Sequence, residues 1–154
     1  MINNQPSLSY ERGTYGALGC LAKNAAGAIA IYNICQLDRF ELSLQEIIDM
    51  IKKGHGLRLW GACGTKISAI KHTLEQLEFE VHFQGWFQDV KQIVQHNYFY
   101  ILYRTDNWEW HCQAGYFLDH QRFTLFNPNH IYDGVQQFRE FEEVAGHIWL
   151  FTVD

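Results

Sequence analysis

The period of the apolar positions changes about midway along the chain. From Lys23 to Leu37, "KNAAGAIAIYNICQL", apolar residues fall on almost every face of a 3.6-residue turn. This predicts a helix buried on more than one side, with Asn24 as N-cap and Ile29, Tyr32 and Ile34 spread around it. "SLQE" at Ser43 to Glu46 has capping-box spacing: the serine oxygen accepts an orphan N–H, and the glutamate reaches back to the serine's own N–H. A second helix is expected from there to about Lys53, with Leu44, Ile47, Ile48 and Ile51 facing the core and "KKGHG" as its stop. Thr65 is expected to cap a third, whose stripe is Ile67, Ile70, Leu74 and Leu77.

After that the period falls towards two. "FEVHF", from Phe79, alternates and reads as a strand. "FQDVKQIVQH" returns briefly to helical spacing at Phe87, Val90 and Val94. "YFYILYR", "WHCQAGYFLD", "RFTLFNP" and "HIWLFTV" are aromatic and β-branched, which is strand composition. "DHQ" is a tight turn, and "VQQFREFEEVAG" reads as a short helix or turn closing at Gly146. Residues up to about Leu21 form an extended lead-in. Helices first and strands afterwards predict an α+β domain, a helical half packed on a mostly antiparallel sheet, spanning residues 1–154.

Composition narrows the function. Seventeen acidic against twelve basic residues, with no basic stripe, argue against a nucleic-acid partner. No run of about 18 apolar residues is present to insert in a membrane. "MINNQPSLSYERG" lacks a signal-peptide pattern and would equally suit the cut edge of a larger, secreted protein. Cys20, Cys35, Cys63 and Cys112 show no CxxC pairing, and reduced thiols are expected. His111, Cys112, His120 and His130 have no recurrent ligand spacing, so neither metal nor cofactor is expected.

The candidate chemistry begins at His111, which sits in an aromatic strand where most histidines are merely half-buried. Asn127-Pro128 ends the next strand and is, by itself, a turn starter. A hairpin between these strands can set Asn127 beside the imidazole and fix its tautomer. A nucleophile would come from the front of the first helix, where the dipole favours a thiolate and first-turn N–H groups can hold an oxyanion. Gly27 would leave room there for a substrate backbone. The residue before Gly27, however, is Ala26. The adjacent Cys112 should face away from the imidazole, because neighbouring strand residues alternate. Trp60, Trp86, Trp108 and Trp110 are candidate cleft walls, though aromatic core packing explains each of them as well.

Four stretches in order, "AGAIAIYN", "GTKISAIKHTLEQLEFEV", "HCQAGYFLDHQRFTLFNP" and "FREFEEVAGHIWLF", resemble papain-like cysteine peptidases. They are most similar to the double-glycine peptidases that head bacteriocin-exporting ABC transporters. Each motif is weak alone, and together they span nearly the whole chain. The resemblance implies Ala26 at the nucleophile position, His111 as general base, Asn127 as its orienting partner, and cleavage after Gly-Gly. It also implies a glutamine six residues before the nucleophile as oxyanion donor, where this chain has the poor donor Cys20. Whether Lys23, Asn24 or backbone replaces it stays open.

Three accounts fit Ala26: a silencing substitution of a natural cysteine, a natural pseudo-peptidase that binds a peptide or protein, or attack by another thiol. With no nucleotide-binding motif attached, an effector toxin with a cognate inhibitor protein and a leader-processing peptidase are both compatible roles.

Overall fold

The computed structural model describes residues 2, 14–61, 64–85, 96–104, 110–119, 122–126, 135–137 and 147–154. The chain enters through a hairpin, β1 (Thr14–Tyr15) and β2 (Gly19–Cys20), and a one-turn helix, α1 (Leu21–Asn24). The lead-in is therefore more than an extended segment, and Tyr15 and Leu21 are both buried in the core.

Helix α2 (Ala26–Leu37) follows with only Ala25 between, and here the structure corrects the expected cap. Asn24 ends α1 instead, and its side-chain oxygen accepts the Cys20 backbone N–H at 2.9 Å. Ala25 takes φ −90° and ψ 10°, not the extended conformation from which a side chain caps a helix. One helix running almost directly into the next leaves no room for a cap. As its apolar pattern predicts, α2 is buried on several sides, with Ile29, Ile31 and Ile34 fully enclosed.

Helix α3 (Leu44–Lys53) carries the expected capping box. The Ser43 N–H donates to Glu46 Oε2 at 2.7 Å, and the Glu46 N–H to Ser43 Oγ at 3.2 Å. Ile47, Ile48 and Ile51 are buried against α2, each stabilising by about 1.5–3 kcal/mol relative to exposure. A 3-10 turn at Leu59–Gly61 and an isolated bridge between Leu57 and Thr65 lead into α4 (Ile67–Gln76). The cap of α4 is Lys66, not Thr65, and no side chain closes it. The Thr65 hydroxyl is committed elsewhere, in a hydrogen bond with the Tyr15 hydroxyl. Ile70 and Leu74 of the predicted stripe are buried, while Ile67 and Leu77 are partly so.

The strands are β3 (Val81–Gly85), β4 (Tyr98–Arg104), β5 (Trp110–Phe117), β6 (Arg122–Phe126), β7 (Val135–Gln137) and β8 (His147–Val153). They form one antiparallel sheet in the order β3-β8-β4-β5-β6-β7. β3 starts two residues later than the alternation suggested, because Val81 is the first residue to pair with β8, opposite Val153. Val135–Gln137 is a strand rather than a helix or turn, since Val135 pairs with Thr124 at the sheet edge. The expected helix at 87–96 lies outside the described residues except for its last residue, His96, which is in a bend, and the remainder of 138–146 lies outside them as well.

Alternation divides the sheet into two buried faces. Tyr100, Leu102, Cys112, Ala114 and Phe151 join the helices in one core. Phe99, Ile101, Tyr103 and Phe123 are buried on the other face, where the Phe99 ring packs 4.5 Å from Phe117 and 5.7 Å from Phe123, centroid to centroid. Helix α2 lies on the first face, against β5 and β4. This is the predicted α+β arrangement. It carries the start of α2 to the beginning of β5.

Replacing Ser43 by Ala removes the two hydrogen bonds of its hydroxyl, to the Glu46 N–H and carboxylate, and leaves only the backbone half of the capping box. Stability should fall by about 1 kcal/mol. Thermal unfolding should shift down by roughly 2–4 °C. An unchanged melting curve would show that the cap is not formed in solution.

Candidate functional site

A cleft of about 420 Å³ opens where the first turn of α2, the Gly64–Thr65 segment and the start of β5 meet. Its size suits a small ligand or a short length of peptide. Ala26 and Gly27 border it from α2, Lys23 and Asn24 from α1, Arg58 from the loop before the 3-10 turn, and Trp110, His111 and Cys112 from β5.

The glycine in the first turn of α2 has a packing cause. A Cβ on Gly27 would lie 2.8 Å from Thr65 Cβ, 2.7 Å from its Oγ1 and 3.1 Å from Ile70 Cδ1. The space expected to receive a substrate backbone is thus filled by Thr65, and Gly27 touches the cleft only with its backbone edge. Thr65 is held in turn by Tyr15, whose backbone packs against Gly61. That glycine has φ +99°, and a Cβ there would meet the Tyr15 carbonyl oxygen at 1.7 Å. A chain of close contacts runs from Gly61 through Tyr15 and Thr65 to Gly27. It fixes the floor of the cleft.

Ala26 is the first residue of α2, is half-buried, and borders the opening. No side chain caps this helix, so its first-turn N–H groups are not occupied in that way. His111 is the second residue of β5 and borders the same opening. The ladder pairs His111 with Tyr103 and Cys112 with Leu102, so the two neighbours face opposite sides of the sheet, as alternation predicts. The imidazole stacks on Tyr103, with centroids 5.3 Å apart and planes 29° from parallel. Tyr103 is itself fixed by donating its hydroxyl to Gln113 Oε1 at 3.0 Å, entirely within the buried face.

The other expected residues divide. Trp110 is 51% exposed and forms a wall, joined by Trp149 from β8 with ring centroids 5.4 Å apart. Trp149 went unnoticed in the sequence because only the register, which pairs it with Leu102, shows which way it points. Lys23 and Arg58 give no periodic signal at all. Cys20 does not border the cleft: its strand pairs with β1, its N–H is held by Asn24, and its side chain is exposed. Asn24 borders the opening with its side-chain oxygen already committed to Cys20. Asn127 lies outside the described residues, as do the side chain of Trp60 and all of Trp86 and Trp108. β6 is described to Phe126, opposite Ala114.

Among the described residues no group of His, Cys, Asp and Glu is arranged to hold a metal ion, and no helix is long and apolar enough to cross a membrane. Cys20, Cys35 and Cys112 are free thiols. Burial pushes the Cys112 thiol up to about 12 and the Cys35 thiol up to about 11, and it raises the Tyr15 hydroxyl to about 12. At neutral pH the sulfur inside the cleft is therefore a protonated, enclosed thiol. Attack by Cys112 in place of residue 26 has no physical support.

The sequence matches no protein-family model and no curated protein. Among solved structures, the chain is similar to the peptidase domain of Streptococcus ComA, a bi-functional ABC transporter involved in a quorum-sensing pathway. The TM-score is 0.62 at 10% identity, covering 90% of this chain and 98% of that one. The peptidase domain of Streptococcus mutans ComA aligns with a TM-score of 0.44 at 12% identity, over 59% of this chain and 75% of that one. The Pseudomonas avirulence protein AvrPphB aligns at 0.39 and 14%, over 84% and 90%. At these identities the first likeness speaks for the fold, which is that of papain-like peptidase domains, and the two weaker alignments carry no argument.

Two outcomes test this description. Gly27→Ala gains up to about 1 kcal/mol of helix propensity. Overpacking against Thr65 costs about 1–3 kcal/mol, so a net loss is expected in denaturant unfolding. Thr65→Gly should recover part of that loss in a double-mutant cycle, and independent effects would mean the contact is absent. The raised thiols and Tyr15 also set an alkaline limit. Below an ordinary thiol pKa of 9.0 their burial is fully compatible with folding. As pH climbs through 9 to about 12 the unfolded chain releases protons that the folded chain retains, so stability should fall. At pH 8, iodoacetamide followed by peptide mapping should modify Cys20 and spare Cys35 and Cys112.

Proposed function

We propose that the chain is a papain-like cysteine peptidase domain with an alanine at its nucleophile position, so that as it stands it binds a peptide without cutting it. The observation that carries this reading is the shared cleft. The helix-initial Ala26 and the strand histidine His111 border one opening, at the uncapped end of a buried helix.

With a thiol in place of the Ala26 methyl, each group has a defined task. The α2 dipole favours a thiolate, and His111, once turned from Tyr103 toward the helix, would complete a thiolate–imidazolium pair. The thiolate attacks a peptide carbonyl, and the developing oxyanion is held by first-turn N–H groups of α2. His111 returns its proton to the leaving amine, and water then hydrolyses the thioester. In this structure the imidazole stacks on Tyr103, on the sheet face away from α2, so catalysis requires the ring to leave that stack and turn toward Ala26, and Asn127 is the partner proposed to orient it there. Cleavage after Gly-Gly would follow from walls that leave no room for a β-carbon just before the bond, with Trp110 and Trp149 forming one of them.

A second reading is favoured by Ala26 itself: a natural peptide- or protein-binding module needs no thiol. Within the peptidase reading, an effector toxin held in check by an inhibitor over the cleft would account for a silenced nucleophile, and a leader-processing peptidase is the other role to which the fold is suited.

Ala26→Cys separates these readings. The variant should cleave peptides containing Gly-Gly, with iodoacetamide blocking turnover. His111→Ala added to it should lower kcat by at least about 100-fold, the contribution of a general base. A folded Ala26→Cys protein that binds peptide but never turns it over would leave the binding module.

A further inference from the structure

The charge of the cleft runs against that of the molecule. The whole chain carries a formal net charge of −5, with seventeen acidic and twelve basic residues. Yet the described residues that line the cleft include Lys23 and Arg58 and no aspartate or glutamate. Both cations are exposed. Among the described residues neither side chain has an ion-pair partner, and the same holds for Lys53 and Lys66, so what sets the two apart is their place on the lining of the cleft. They come from separate elements, Lys23 from α1 and Arg58 from the loop before the 3-10 turn. The Trp110–Trp149 pair supplies the apolar wall between such charges and the core.

We infer that the cleft selects an acidic peptide, one whose carboxylates lie close to the small residues at its centre and pair with Lys23 and Arg58. This deepens the reading above and rests on it for the identity of the ligand as a peptide. The low-dielectric walls of a cleft strengthen and focus the field of two unpaired cations beyond what the same charges would give on an open surface. The net negative charge of the chain opposes non-specific attachment of an acidic ligand to the rest of the surface. Neutral and basic peptides meet no such attraction. Nucleic acid, the other polyanion, would carry its charge along a length that the acidic exterior opposes.

The test uses the chain with Ala26 in place, so turnover does not enter it. Isothermal titration calorimetry at low salt compares three ligands: a decapeptide with Gly-Gly flanked by glutamates, the same peptide with glutamines, and single-stranded oligo-dT. The glutamate peptide should bind at least about 10-fold more tightly than the glutamine one, the gain expected when two charge pairs form in a partly desolvated cleft. The preference should shrink in high salt. It should vanish in the Lys23→Gln, Arg58→Gln double variant, which folds normally because both side chains are exposed. Equal binding of the two peptides, a preference that survives the double substitution, or oligo-dT binding as tightly as the glutamate peptide would each overturn the inference. Failure of the Ala26→Cys protein to cleave anything, alongside a Lys23- and Arg58-dependent preference here, would remove the peptidase reading and leave this one standing.

Discussion

The close approach of α2 to the Thr65 segment is the constraint on which the rest of the structure depends. Gly27 has no side chain because Thr65 stands where its Cβ would be. Thr65 stands there because its hydroxyl is bound to the fully buried Tyr15. Tyr15 in turn needs the bare Gly61 beside its carbonyl. Remove any member and the N-terminal hairpin, the loop before α4 and the buried helix no longer meet at one point. The cleft is the space left just outside that junction. Its position is therefore a consequence of packing.

Burial and charge act on this junction in opposite directions. Inside, enclosure by apolar neighbours holds Cys112 and Tyr15 in their neutral forms and makes the nearest sulfur chemically quiet. Outside, Lys23 and Arg58 line the cleft with no ion-pair partner among the described residues. An ion pair on an open surface contributes only about 0–1 kcal/mol, so Lys23 and Arg58 add little to folding. Charges that stabilise the fold so little are free to serve recognition, whereas the Glu46 carboxylate is committed to the N–H and hydroxyl of Ser43 in the capping box.

Much of this architecture was legible in the sequence where a local rule sufficed. The period-two aromatic runs gave β4, β5, β6 and β8 almost residue for residue, and the capping box gave the start of α3. Errors arose where a residue had two offers of a partner. Asn24 and Thr65 both look like N-caps. Both instead satisfy groups brought near by neighbouring elements, the Cys20 N–H and the Tyr15 hydroxyl. Val135–Gln137 reads as a turn and becomes a strand because β6 offers it an edge. The site was half legible. Ala26 and His111, which border the cleft, could be named from position and residue type, and Lys23 only as a possible oxyanion donor, but Trp149 and Arg58 have no signature until the sheet register and the loops are known. Cys20 entered the site only through the resemblance, at the position of the family's glutamine, and its strand pairs with β1 away from the cleft lining.

Positions 26 and 27 differ in what determines them. Packing favours glycine at residue 27, since a Cβ there crowds Thr65. Residue 26 is half-buried at the mouth of the cleft and outside the tight chain of contacts. A cysteine there would forgo roughly 0.5–0.7 kcal/mol of helix propensity relative to alanine and would add one sulfur on the side of an open cleft. Packing thus tolerates either residue, and the small preference for alanine is well within the margin of a domain this size. The fold alone cannot account for which of the two stands at 26. That choice belongs to chemistry: a thiol where the cleft must cut, a methyl where it must only hold.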